Sequence, residues 1–587
     1  MSRSSTDGYE HSPLLATSDL IDISLPSPNP SQRTDREIKE STKHIRSQLR
    51  LLQADDIAQL GKDRKVQGDG LLSTAVSYGT SVTFNLKRYI QYLYATWSSF
   101  LVGIITGKLN FSEAFSVLFF SGGASAVLVL IFIWCTIANW PPFVWAYERI
   151  FGRFTGHLSL VNSSNPNYFK NLTPEQSNAA KRKLGTEIDP AGHNPRIFDL
   201  DIAKLLLQLS SLMYERDTRP MHNAVDAAQI NSHSTKVTPS ATNGTPGAVL
   251  RSLFAATDIN HILDMLDDDS TAGEAPIHKF AQEHGICFAT ASELQTTSQA
   301  YCSLFWDPRG TWVLVAFKGT DPISFDEWTT DFTATFEDCS EDIPGFGFVH
   351  KGFKDRVLPS TGRKPYRSIA AAIGIVCDEL VKGHPEGTKI NVWFTGHSLG
   401  TAIASLAYAK ALSAKDLGPH AVLRDAYVFA TPIVCDVDSR LAFDQMMQED
   451  PNFPRTLFRI TNRNDFVATG LPDVGDRRSK GFDKDNLFNF SHLGVEILMK
   501  DNPTPCHMRG DAVRAPDGFA IQVKSAFSEM MIQDMRSKIV AEGYNQPAWV
   551  GWLQYLPIIG RMAAHGTTNY WEQLERIGLL PCVYQSN

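Results

Sequence analysis

The sequence predicts an α/β protein: a mostly parallel sheet with helices on both faces, preceded by a transmembrane helix and a disordered N-terminal tail. Three observations predict it. From about Lys279 onward, short β-branched and aromatic runs alternate with helical patterns. In NVWFTGHSLGTAIASLAYAKAL (Asn391–Leu412), a serine between two glycines stands where such a run passes into an alanine-rich helix former. Finally, Ala114–Ala138 contains no charged residue, and a helix needs about 20 apolar residues to cross the hydrocarbon layer.

Composition limits the rest. A chain of 587 residues, 43% hydrophobic and 20% charged, has ample material for a core and for something apolar besides. The net charge of −8 is modest, and no Lys/Arg run is interleaved with aromatics, so nucleic acid is not an expected partner. The 8 cysteines show neither CxxC nor Cys/His ligand spacing. No metal site or cofactor is called for.

Residues 1–70 read as a low-complexity tail, because SLPSPNPSQRTDRE is rich in Ser, Pro and charge. Within it Ile38, Ile45, Leu49 and Leu52 recur at helical spacing, as in a partly solvated linker helix. Residues 71–150 form the membrane-anchor region. Its strong span is 114–138, with Trp134, Trp140 and Trp145 clustered at the far end, where aromatic rings favour the headgroups. A second candidate span, 89–107, is also uncharged but contains Gln, Ser and Thr. Lys87, Arg88 and Lys108 precede the strong span, and Arg149 and Arg153 follow it. That asymmetry is too small to set orientation.

Two further patterns favour a single crossing. EHSPLL resembles the acidic-dileucine signals read by cytosolic sorting adaptors, through Glu10, Leu14 and Leu15. Glycosylation acceptors lie beyond the span at Asn162, Asn171, Asn243 and Asn489. The expectation is a single-pass protein with a cytosolic N-terminus, in an endomembrane or the vacuole.

Residues 151–197 read as a connector, and the soluble domain as 198–587. A Ser/Thr/Asn/Gly-rich insertion interrupts that domain at 231–247. Buried strands are expected at Thr311–Phe317, Lys389–Thr395, Asp425–Ala430 and Thr456–Thr461.

Small residues at Gly396, Gly400, Ala402 and Ala404 suit a strand–turn–helix bend that exposes Ser398. A serine hydroxyl is a weak nucleophile and needs an imidazole to take its proton, itself oriented by a carboxylate. After Ser398 the best acid is Asp465, placed just beyond a strand, with Asp473 and Asp476 deeper in the same loop. Three histidines compete for the base: His492, His507 and His565. Position alone leaves all three open.

Several blocks occur together in order: VAFKGTD (Val315–Asp321), WTTDF (Trp328–Phe332), VHKGF (Val349–Phe353), FTGHSLGTAIA, FATPIV, NDFVATGLP and SHLGVEI. From about Phe198 to Trp571 they resemble the class 3, or fungal-type, triacylglycerol lipases. The resemblance implies an α/β-hydrolase fold and a catalytic triad of Ser398, Asp465 and His565, with His492 structural. It also implies an oxyanion hole formed by Thr320 and Leu399. The departures are Lys318 where the family has Arg, FAT in place of FGS, and a longer interval between Asp465 and His565. The segment Asp321–Phe332 occupies the family's lid position. The apolar stretch Ala548–Gly560, just before His565, would pack as core or dip into a bilayer.

The expected function is a membrane-anchored serine hydrolase that cleaves acylglycerol esters through an acyl-enzyme, with tri- or diacylglycerol as substrate. The alternatives are a phospholipase on the same fold and a catalytically silent, membrane-tethered interaction scaffold.

Overall fold

The computed structural model describes residues 33–67, 172–186, 196–216, 273–294, 300–319, 336–360, 362–448, 455–469, 491–499, 507–510, 519–522, 564–577 and 583–586, together with single residues between 86 and 133. In chain order the strands begin with β1 (Arg196–Asp199), β2 (Cys287–Glu293), β3 (Tyr301–Trp306), β4 (Trp312–Phe317), β5 (Phe336–Asp338) and β6 (Phe348–His350). They continue with β7 (Ile390–His397), β8 (Ala421–Phe429), β9 (Leu457–Asn462), β10 (Val495–Met499), β11 (His507–Gly510), β12 (Phe519–Gln522) and β13 (Val583–Ser586). The described helices are α1 (Asp35–Gln67), α2 (Pro174–Leu184), α3 (Leu200–Leu212), α4 (Ala275–Glu283) and α5 (Lys351–Val357). They continue with α6 (Pro365–Val381), α7 (Leu399–Ala414), α8 (Val437–Gln448), α9 (Phe466–Thr469) and α10 (Thr567–Ile577).

Nine strands form the main sheet, in the order β13-β11-β10-β9-β8-β7-β4-β3-β2. Its centre, β4-β7-β8-β9-β10, is parallel throughout, and β2, β3 and β11 join by antiparallel pairing. Parallel strands bury both faces and so read as continuous apolar runs. WVLVAF of β4 shows how two cores share such a run. Val313, Val315 and Phe317 enter one core with α5, α6 and α7, while Trp312, Leu314 and Ala316 enter the other with α3 and α10. The period of two along a strand sends alternate side chains to opposite faces.

The folded domain begins earlier than the sequence suggested. Residues 172–186, expected in the connector, contain α2, which opens on a capping box of Thr173 and Gln176 with Pro174 at the first helical position. Leu172, Ala180 and Leu184 are buried beside α3.

The helix expected around Ile38–Leu52 is present as α1, and it is not a solvated linker. Ile45, Leu49, Ala54 and Ile57 are fully buried against β2 and α6. Polar contacts fix its register. Asp56 Oδ2 accepts from Ser292 Oγ at 2.6 Å and pairs with Arg363 Nη1 at 3.2 Å, and its Oδ1 accepts from Ser368 Oγ at 3.0 Å. Gln53 Nε2 donates to Glu293 Oε1 at 2.7 Å. Apolar spacing alone marked one edge of this helix. The buried Gln and Asp on that edge made it look half solvated.

Among the described residues no helix is long and apolar enough to cross a membrane. Seven residues of the stretch 89–107 and 15 of the stretch 114–138 lie outside the described residues, as do residues 1–32, the insertion 231–247 and the apolar stretch 548–560.

Burial pushes the Asp56 carboxyl above its usual range, against the opposing pull of Arg363 and the Ser292 and Ser368 hydroxyls. Removing the carboxylate would leave a buried guanidinium unpaired, which typically costs about 3–5 kcal/mol. Asp56→Ala is therefore expected to lower the urea midpoint markedly with little change in slope, whereas Asp56→Asn, which keeps the serine contacts, costs less.

Candidate active site

β7 ends at His397 and α7 begins at Leu399, so one residue makes the whole turn. That residue, Ser398, has φ 57° and ψ −133°, a conformation non-glycine residues rarely adopt. The two motif glycines make it sterically feasible. A Cβ on Gly396 would lie 2.7 Å from the Gly400 carbonyl group, and one on Gly400 would collide with the Phe317 carbonyl at the end of β4. The Ser398 N–H donates to Phe429 O of β8 at 3.0 Å, tying the bend to the neighbouring strand. The hydroxyl thus sits at the N-terminus of a helix of 16 residues, the positive end of its dipole.

The imidazole beside it belongs to His565, in the turn before α10. Its Nε2 lies 2.7 Å from Ser398 Oγ, and its Nδ1 is 3.0 Å from each oxygen of Asp465. Helix α10 is held in the second core by Tyr570, Trp571 and Leu574. The interval between Asp465 and His565 contains β10, β11 and β12.

Asp465 is fully buried in the turn after β9. It accepts from the Val467 N–H at 2.8 Å and from the Tyr570 hydroxyl at 2.7 Å, in addition to His565. Burial pushes its carboxyl up, but the opposing His565 charge and these hydrogen bonds prevail and hold it below the ordinary carboxylate range. Tyr570, buried beside that carboxylate, has its phenol pushed well above its usual value and stays a donor. Asn462 completes the turn: its N–H donates to Tyr570 Oη at 3.1 Å and its side chain to Ala564 O at 3.2 Å.

A second histidine supports the first. His397 Nε2 donates to the backbone carbonyl of His565 at 2.8 Å, which leaves Nδ1 to accept from Tyr214 Oη at 2.9 Å. Burial, with the nearby His565 charge, lowers its pKa to about 3, so it remains neutral. Sequence reasoning gave no role to His397, Tyr214 or Tyr570. His397 lies inside the serine motif.

His492 is buried next to Ser491, which bridges to Cys435, while the imidazole on Ser398 is that of His565. His507 contributes its backbone to β11. Asp473, Asp476, Thr320 and the segment Asp321–Phe332 lie outside the described residues. Gly319, next to Thr320, packs against Ser398: a Cβ there would be 3.0 Å from the serine Cβ. Leu399 is the first residue of α7, so its N–H is among those left free of intrahelical bonding at a helix start. Ala430, at the position where the resembling family has glycine, adopts φ 65°. Lys318 is buried, with Nζ 5.7 Å from the centre of the Tyr214 ring. No group of metal-binding side chains occurs among the described residues.

A hydroxyl bonded to an imidazole that is itself held by a buried carboxylate can lose its proton to Nε2 as it attacks a carbonyl. Residues 314–474 match the family model described as lipase (class 3). The chain carries a class 3 lipase domain. Its activity is that of a serine-dependent carboxylic ester hydrolase. No curated protein matches it. Several solved structures are similar. A lipase from Rhizopus microsporus var. chinensis is 20% identical, over 40% of this chain and 67% of that one, with a TM-score of 0.28. MDLA from Penicillium cyclopium, in a mutant form, is 17% identical over 54% and 88%, with a TM-score of 0.30. A triacylglycerol lipase whose catalytic centre is described as a serine protease triad is 21% identical over 38% and 69%, with a TM-score of 0.26. The class 3 lipase assignment rests on the family match and not on these superpositions.

Two outcomes follow for this lipase domain. Tyr570→Phe removes one of the hydrogen bonds on the Asp465 carboxylate; such bonds to charged groups are worth about 1.5–3 kcal/mol. Ester turnover should fall by roughly ten- to a hundredfold in kcat with little change in KM. The second concerns acid. The unfolded chain protonates His397 near its ordinary value of 6.5, while the folded chain resists down to about 3. Stability should therefore fall as pH drops from about 6.5 toward about 3, and His397→Gln should flatten that part of a plot of melting temperature against pH.

Proposed function

We propose that the protein is a membrane-anchored lipase that cleaves acylglycerol esters through an acyl-enzyme formed on Ser398. The observation that carries this is the continuous relay Ser398 Oγ–His565 Nε2 at 2.7 Å and His565 Nδ1–Asp465 at 3.0 Å. Ser398 attacks the ester carbonyl carbon, and His565 accepts the hydroxyl proton. The carbonyl oxygen gains negative charge, which the N–H of Leu399 and the N–H and hydroxyl of Thr320 stabilise. Donors of this kind are worth roughly 3 kcal/mol each in the transition state. The tetrahedral intermediate collapses as His565 returns its proton to the departing glycerol oxygen. Water, deprotonated by the same imidazole, then releases the fatty acid and regenerates Ser398. Asp465, ionised through its hydrogen bonds, holds the imidazole in the tautomer that faces the serine.

Membrane attachment is supported by the uncharged stretches 89–107 and 114–138. The residues described there are helical and display apolar side chains outward, with Ile105 81% and Phe115 64% exposed. Large apolar side chains in such an array suit lipid contact rather than water. An anchored enzyme meets substrate within the bilayer, so acylglycerols resident in a membrane fit better than a soluble ester. The Glu10, Leu14 and Leu15 pattern favours an endomembrane address with a cytosolic N-terminus.

A fluorophosphonate probe should label the purified protein, and labelling should vanish in Ser398→Ala. On a panel of tri-, di- and monoacylglycerols and phospholipids, Ser398→Ala and His565→Ala should each lose at least about 10⁴-fold in turnover. Turnover that survives His565→Ala but not His492→Ala would overturn the relay. Absence of labelling in folded protein would favour the silent scaffold.

A further inference from the structure

Both flanks of the apolar region are docked in the same domain. On the upstream side, α1 buries Ile45, Leu49, Ala54 and Ile57, and it anchors Asp56 between Ser292, Ser368 and Arg363. Nearer its start, Arg33 Nη2 donates to Glu379 O at 2.8 Å. On the downstream side, the end of α2 is bound to the centre of the sheet. Leu184 O accepts from Asn391 Nδ2 at 2.9 Å and Trp393 Nε1 at 3.1 Å, and Gly185 O accepts from Thr311 Oγ1 at 2.7 Å.

A chain that leaves a folded domain and returns to it can cross a bilayer only an even number of times. Between α1 and α2 the sequence supplies two uncharged stretches, Tyr89–Gly107 and Ala114–Ala138. As helices rising 1.5 Å per residue they would span about 28 and about 37 Å, against a hydrocarbon core of about 30 Å. A single crossing would put α1 and α2 on opposite sides and strip four apolar side chains and an ion pair from their partners.

We infer that the two stretches cross as a hairpin, with Lys108–Glu113 on the far side and both the N-terminal helix and the catalytic domain on the cytosolic face. This rests on the membrane attachment proposed above and replaces the single crossing expected from sequence.

The hairpin also makes the charges intelligible. Lys87, Arg88, Arg149 and Arg153 then flank the spans on the domain side, and only Lys108 lies in the connector. Lys/Arg excess near span ends marks the cytosolic side. Counted for one crossing, the same residues nearly cancel.

The test uses the full chain with an epitope tag at each end, expressed in cells and recovered in sealed microsomes. A long spacer carrying one Asn-x-Ser acceptor is inserted after Ser112, in a chain whose native connector acceptor, Asn110-Phe111-Ser112, is removed by Asn110→Gln. Expected are retention in the membrane after alkaline carbonate, digestion of both tags by added protease without detergent, and a glycosidase-sensitive mobility shift from the spacer alone. Asn162, Asn171, Asn243 and Asn489 should stay unmodified. Protection of one tag, or of both, overturns the hairpin or its cytosolic facing, and so does a glycan on any of those four asparagines. Release by carbonate removes the membrane attachment itself, a failure distinct from the others.

Discussion

The contact on which the site depends is backbone against backbone, where the start of α7 passes the end of β4. Gly400 approaches the Phe317 carbonyl so closely that no side chain fits, and Gly396 is similarly pressed against the Gly400 carbonyl group. That approach forces the chain to reverse from strand to helix within one residue and places Ser398 at φ 57°. A non-glycine residue held there costs of order 1–3 kcal/mol. The cost is met by the sheet on both sides, since β4 and β8 pair with β7 along nearly its whole length. The strained serine is thus a consequence of packing that would be favourable whatever residue stood at the bend. Serine makes the bend chemically useful.

The rest of the site is an exercise in keeping charge where it is needed inside a dry core. Asp465 is buried, and burial alone would neutralise it. Hydrogen bonds from His565, Tyr570 and the Val467 N–H reverse that tendency, so the carboxylate stays ionised and can stabilise a positive imidazole during turnover. A second imidazole lies in the same region, with ring centres 5.0 Å apart. Were His397 also charged, the two would repel. Its depressed pKa removes that conflict, and the neutral ring instead fixes the carbonyl of His565 through one nitrogen while Tyr214 occupies the other. Two chemically identical side chains thus stand in different settings, one bonded to the serine hydroxyl and one to a backbone carbonyl, and burial and partners decide between them.

How much of this could be read in the letters depends on how local each feature is. The bend at Ser398 and the strands around it were legible, because glycine spacing and apolar runs are local patterns. Asp465 followed from its place just after a strand. His565 did not follow from position: His492 and His507 were equal candidates until the ordered family blocks were considered. Its ring reaches the serine only because Tyr570, Trp571 and Leu574 fold α10 against a core assembled from distant segments. The docking of α1 was hidden for another reason. Its buried face contains Gln53 and Asp56, whose partners Glu293, Ser292, Ser368 and Arg363 come from far along the chain, and buried polar pairing leaves no periodic trace. Ala430 shows the converse: the resembling family's glycine marks a left-handed backbone here too, and alanine occupies it at some strain.

The docking of α1 also bears on how the N-terminal helix and the catalytic centre are held together. Gln53 donates to Glu293, which forms a two-pronged pair with Arg216 at 2.6 and 3.0 Å. Arg216 in turn packs its guanidinium over Tyr301, 4.3 Å from the ring centre, and Tyr301 Oη donates to Met213 O. Between Met213 and Arg216 lies Tyr214, the residue whose hydroxyl holds His397. Buried ion pairs contribute little net stability against apolar packing, but they penalise any misregistered alternative strongly, because a charge would be left unpaired. The network therefore selects one placement of α1, and with it one placement of the segment that supplies Tyr214. Tyr214 in turn holds His397 against the His565 carbonyl, so the imidazole on Ser398 is kept in register by contacts that begin at α1.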